Sequence, residues 1–291
     1  MTPAPTGGTP GGGGAAPGMH EATVPALGPW RGRLLVVHGF AEHGGRYEGF
    51  ARACAARGLE VVLPDLPGHG RSDGPRGLIV DAERWAGGVA ERLTALRADG
   101  TPVAAFGHSF GGALLVRAAQ LRPGALDALA VSAPYLTSAR GDPPWLMGLA
   151  KVVSGVAPRL RSRKIDARVV SNVEAEVAAY EDDPLVDRGG VRLGSVRELH
   201  ALGPRVLADA DTLKVPTLVV HGDADGLADV AGSRALAAAC AAVTLEEVPG
   251  GAHGLLHDAA ADEVGARVAD WLTARLAGAA APTDRAAAAG T

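Results

Sequence analysis

The chain has 291 residues, 28 Lys+Arg against 32 Asp+Glu for a formal charge of −4, two cysteines and 47% hydrophobic residues, with a mean hydropathy of +0.12. A chain this long buries about 70–75% of its unfolded surface and needs neither disulfides nor a structural metal; Cys54 and Cys240 form no Cys-x-x-Cys site. Without a basic stripe nucleic acid is not the expected partner, and no run approaches the about 18 uncharged apolar residues of a membrane span.

Residues 1–18 are Gly and Pro with little to bury and read as a flexible tail; they hold no basic, apolar leader pattern, so no signal peptide is expected. The core begins with the run RLLVVH at 33–38, which stops at Gly39. A second run at 60–63 stops at Pro64, and a third at 102–106 stops at Gly107. Between them Trp85, Val89, Leu93 and Leu96 recur at helical spacing, with Gly58 and Gly100 where helices should stop. Runs at 128–132 and 217–221 are apolar almost throughout, as strands covered on both faces should be. A last strand is expected at 243–248 and a last helix through Val264, Val268, Leu272 and Leu276, followed by a second tail over 279–291. Strands alternating with helices predict an α/β fold: a mostly parallel central sheet flanked by helices.

The alternation breaks over 137–212, which reads as an inserted helical cap dividing the core into 19–136 and 213–278. Its run WLMGLAKVV at 145–153 is apolar nearly all round. Packing of cap on core explains that surface, and so does an acyl tunnel or contact with lipid.

Gly107-His108-Ser109-Phe110-Gly111 follows a predicted strand and precedes a helical run. A serine on so sharp a turn is exposed at the carboxyl end of the sheet, and the glycines avoid β-carbon clashes there. Ser109 is therefore the candidate nucleophile. Gly70-Arg71-Ser72-Asp73-Gly74 has the same spacing but no helix after it, so Ser72 reads as a loop residue. A serine hydroxyl needs an imidazole to take its proton and a carboxylate to orient that imidazole. On an elbow fold both follow the serine in chain order. His221-Gly222-Asp223-Ala224-Asp225 supplies the acid, with Asp225 preferred over Asp223 and Asp229; Gly250-Gly251-Ala252-His253-Gly254 supplies His253 as base. The oxyanion donors expected are the backbone amides of Phe110, after the nucleophile, and Phe40, after the first strand. His253 and His257 lack the Glu of an H-E-x-x-H site, so no metal or other cofactor is expected. His38, His69, His108 and His221 read as hydrogen-bonding residues at strand ends and turns, and His200 carries no signal.

The string His38-Gly39-Phe40-Ala41-Glu42-His43-Gly44-Gly45-Arg46-Tyr47, the string Pro67-Gly68-His69-Gly70-Arg71-Ser72-Asp73-Gly74, the elbow and Asp183-Pro184-Leu185 together resemble the monoacylglycerol lipase branch of the α/β-hydrolases. The resemblance spans about residues 30–276, including the cap segments at 165–166 and 180–185, and H-G-x-x-E-H-x-x-R-Y is more specific than G-x-S-x-G. It implies the α/β-hydrolase fold with a cap and places Ser109, Asp225 and His253 on the triad, with the Phe40 and Phe110 amides at the oxyanion hole. Phe40 is bulkier than the residue often found there, and Gly226 stands where a larger polar residue usually follows the acid. The expected activity is hydrolysis of a medium- or long-chain monoacylglycerol or similar ester. Lysophospholipase, general carboxylesterase, thioesterase or acyltransferase chemistry on the same triad stays open, as does a ligand-binding protein without turnover. Substrate-contacting residues and oligomeric state are not fixed by the sequence. A cytoplasmic location with transient membrane contact through the cap is expected.

Overall fold

The computed structural model describes residues 18–139, 152–162 and 164–279. Of the tails read at 1–18 and 279–291, residues 1–17 and 280–291 lie outside them, as do residues 145–151 of the apolar cap run. Gly18 is already docked, its carbonyl accepting the Asp73 N–H at 2.8 Å.

Seven strands form one sheet in the order β1-β3-β2-β4-β5-β6-β7. They are β1 Glu21–Val24, β2 Gly32–Val37, β3 Leu59–Pro64, β4 Val103–His108, β5 Ala128–Ser132, β6 Thr217–Gly222 and β7 Val243–Val248. All neighbours are parallel except β1, which runs antiparallel to β3. β1 went unread in the sequence because a four-residue edge strand with both middle residues exposed has no apolar signature.

Helices cover both faces. Leu35 and Val37 of β2 pack in one apolar cluster with residues of α2 (Ala82–Leu96) and α3 (Ser109–Leu121). Leu34 and Val36, one residue out of phase, join the opposite cluster with α1 (Glu48–Ala55) and α7 (Ala261–Ala279). The period of two thus sorts β2 between two cores, which is why its sequence is continuously apolar. The sheet order reverses between β2 and β4, and the crevice at the carboxyl ends of such a pair is where ligands bind in open α/β sheets.

Between β5 and β6 the chain is helical at 152–156, then forms α4 (Glu174–Asp182) and α5 (Leu193–Ala208). Leu202 and Val206 of α5 share the apolar cluster of α2 and α3, so that helix end packs on the core. Helix α6 (Val230–Ala239) separates β6 from β7.

Candidate active site

The β4–α3 junction folds as it does because two glycines let backbone approach backbone. A β-carbon on Gly111 would lie 2.3 Å from the carbonyl oxygens of Val37 and His38, and one on Gly107 would lie 2.7 Å from the Gly111 carbonyl. The elbow therefore nests directly against the end of β2. Ser109 sits at its apex with φ +52°, a conformation that costs a non-glycine residue about 1–3 kcal/mol and is held by the packing around it. Its side chain lines a cavity of about 410 Å³. Phe110 lies in the first turn of α3, where amides lack intrahelical acceptors and the helix dipole favours negative charge.

Two further loops meet at that cavity. Gly222 permits their contact, since a β-carbon there would fall 2.1 Å from the Gly251 carbonyl oxygen. Asp225, just after β6, has a side chain only 1% exposed. Its Oδ2 accepts from His253 Nδ1 at 2.7 Å and from His221 Nε2 at 3.2 Å. Its Oδ1 accepts the Leu227 and Ala228 amides at 2.7 and 3.0 Å. Burial alone would raise this carboxyl, but the His253 imidazole and the hydrogen bonds from His221 and His253 hold it well below the usual carboxylate range. With Nδ1–H donated to Asp225, His253 keeps Nε2 as its basic nitrogen. His108 stacks at a tilt 4.7 Å from the His253 ring; burial, then His253 itself, push it down to about 3, so it stays neutral beside His253.

The rival acids are engaged elsewhere. Asp223 accepts the Gly250 amide at 2.6 Å in an exposed turn, and Asp229 caps α6 through the Ala231 amide at 2.9 Å. Ser72 donates to the Asp65 carbonyl at 2.6 Å and accepts the His20 amide at 2.8 Å, a loop staple. Among the described residues no group of three or more His, Cys, Asp or Glu could hold a metal ion.

The loop after β2 is built around a buried carboxylate that sequence reasoning left without a role. Glu42 Oε1 accepts the Gly39 amide at 2.7 Å and the Tyr47 hydroxyl at 2.6 Å, while Oε2 pairs with Arg46 Nε at 3.2 Å. Burial would raise the Glu42 carboxyl; His108, once acid protonates it, and the Arg46 guanidinium hold it well below the usual range. His38 accepts the Leu66 amide on Nε2 at 2.9 Å, which leaves Nδ1 to donate to the Gly39 carbonyl at 2.7 Å. Since the Gly39 amide is committed to Glu42, Phe40 carries the next amide along the loop. The i, i+4 spacing of Glu42 and Arg46 was the available signal; its burial was not readable.

Cap residues roof the cavity: Ile165, Val170, Leu193, Val196 and Leu199 give it an apolar wall, with Ser162 and Lys164 also lining it. His200, silent in the sequence, lines it too, its ring 6.0 Å from Tyr135.

A model of the serine aminopeptidase S33 family matches residues 28–260. The chain belongs to this family. Its relatives include the monoacylglycerol lipase of Mycolicibacterium smegmatis, 35% identical over 263 residues that cover 89% of this chain and 93% of that one. Human monoglyceride lipase is 34% identical over 203 residues, 69% of this chain and 67% of its own. The crystal structure of Paleococcus ferrophilus monoacylglycerol lipase superposes with a TM-score of 0.80 at 28% identity, covering 88% of this chain and 99% of that one. This S33-family protein is a serine ester hydrolase of the α/β-hydrolase fold, in the monoacylglycerol lipase-like branch. Its two departures from the branch pattern lie differently: the Phe40 ring packs edge-on against His69 at 5.4 Å, whereas a β-carbon on Gly226 would meet only Val169 at 3.7 Å. Space therefore does not demand glycine at 226.

Proposed function

We propose that this hydrolase cleaves medium- or long-chain monoacylglycerols through an acyl-enzyme on Ser109. The observation that carries the reading is the 2.7 Å hydrogen bond that His253 Nδ1 donates to Asp225, with His253 and Ser109 lining one cavity. Ser109 Oγ attacks the ester carbonyl as His253 Nε2 takes its proton, and Asp225 stabilises the imidazolium. The Phe40 and Phe110 amides receive the developing oxyanion. The tetrahedral adduct collapses as His253 returns the proton to the glycerol oxygen, and water repeats the sequence on the acyl-enzyme. The apolar cap wall suits an alkyl chain, and the named relatives are a monoacylglycerol lipase and a monoglyceride lipase.

The same reading gives the cap a role at lipid surfaces. Val152, Val156 and Leu160 are 69%, 84% and 58% exposed, apolar area that a membrane would cover. No helix among the described residues is long and apolar enough to cross a bilayer. Cys54 and Cys240 are free and buried, which suits a reducing, cytoplasmic setting.

The test is fatty-acid release from monooleoylglycerol, a lysophospholipid and dioleoylglycerol, each compared with Ser109→Ala. Preferred turnover of the monoacylglycerol, lost in the variant, is expected. Preferred turnover of the lysophospholipid, or release that survives Ser109→Ala, would overturn the assignment.

A further inference from the structure

Asp183 follows α4, where the cap returns toward the core, and both its carboxylate oxygens are committed. Oδ1 accepts the Leu185 amide at 2.8 Å, and Oδ2 accepts from His43 Nε2 at 2.8 Å. The other ring nitrogen of His43, Nδ1, accepts the Gly45 amide at 3.2 Å, which fixes the proton on Nε2. A carboxylate thus orients an imidazole at the front of the β2 loop much as Asp225 orients His253.

Four residues later the Asp187 amide donates to the Ala41 carbonyl at 2.8 Å. Ala41 is buried with φ +69°, a conformation that a residue with a β-carbon keeps only when its surroundings impose it. Asp187 is itself anchored by Arg161 at 2.9 Å and by the Gly189 amide at 3.1 Å. Residues 183–187 therefore grip the loop at Ala41 and His43, just past Phe40, while Glu42 grips it at Gly39. The His43–Asp183 contact joins parts of the chain 140 residues apart.

We infer that Asp183 and Asp187 are positioning residues: the 183–187 turn of the cap holds loop 39–43 in the conformation that presents the Phe40 amide to the ester carbonyl oxygen. The inference rests on the proposed roles of Ser109 and Phe40. Cap and oxyanion site are then one mechanical unit, and displacing the cap turn loosens the donor without touching nucleophile or base.

The experiment compares an oxo-ester with the matching thiono-ester in wild type, Asp183→Ala and His43→Ala. A developing thiolate accepts hydrogen bonds poorly, so loss of an oxyanion donor slows the oxo-ester selectively, whereas partial unfolding or a damaged base slows both. The expected result is an oxo-ester kcat lower by about 10- to 100-fold with KM within about threefold, and a thiono-ester kcat lowered by no more than about threefold. Equal losses on both esters, or an unchanged oxo-ester kcat, would overturn the inference. Either variant that keeps wild-type circular dichroism suffices. Wild-type turnover and its loss in Ser109→Ala are recorded alongside, so a failure of the underlying catalytic reading shows itself separately.

Discussion

Replacing Asp225 by Asn keeps the shape and inverts the hydrogen-bond logic. In the native site Oδ1 accepts two amides, Leu227 and Ala228, and Oδ2 accepts from two imidazoles, His253 and His221. An asparagine has one acceptor oxygen and one NH₂ group. Turned so that NH₂ faces the amides, it leaves two buried N–H donors unsatisfied, at about 1–3 kcal/mol each. It must therefore turn its oxygen to the amides and its NH₂ to His253, which then has to accept on Nδ1 and carry its proton on Nε2. That tautomer cannot take the Ser109 proton. Loss of the tautomer is worth about 10⁴ in kcat, or about 5 kcal/mol at 1.36 kcal/mol per decade. Initial rates on a chromogenic ester, with Asp223→Asn as control, provide the assay. Asp223 accepts an exposed turn amide away from His253, so its variant should stay within about threefold of wild type. An Asp225→Asn enzyme within tenfold of wild type, or a larger loss in Asp223→Asn, would refute the reasoning.

Three other outcomes follow from the geometry. Gly111→Ala forces a methyl to within 2.3 Å of two backbone carbonyls, so a loss of about 3 kcal/mol in stability, read by urea unfolding, and collapse of activity are expected. Because the Asp225 and Glu42 carboxyls are held below their ordinary range when folded, the unfolded chain binds protons first as pH falls. Their contribution is present above about pH 4 and is lost below it, so Glu42→Gln should flatten the dependence of unfolding midpoint on pH in the acid range. Leu199→Trp adds bulk to the apolar wall and should lower kcat/KM for long-chain esters by about tenfold or more while acetyl esters change by less than about threefold.

The parts of the molecule that were legible in the sequence are those whose cause is local. Continuous apolar runs mark strands such as β2 because both faces are covered, and the elbow announces itself because only glycine at 107 and 111 allows the approach to β2. Asp225 and His253 could be singled out because each stands in a Gly-rich loop directly after a strand. What escaped depends on contacts between distant segments. Glu42 reads as an ordinary loop acid until burial gives it three partners, and nothing near Asp183 signals His43, 140 residues away. Helix α4 buries only Val177 and Tyr180, too little for an amphipathic pattern. His200 is visible as a cavity residue only once α5 is packed.

The central claim is that Ser109 is an activated nucleophile. Intact-mass analysis after incubation with a fluorophosphonate, followed by peptide mapping, tests it most directly. A single adduct on Ser109, absent from Ser109→Ala and strongly slowed in His253→Ala, is predicted. No adduct on folded protein, or an adduct on another residue such as Ser72, would contradict it.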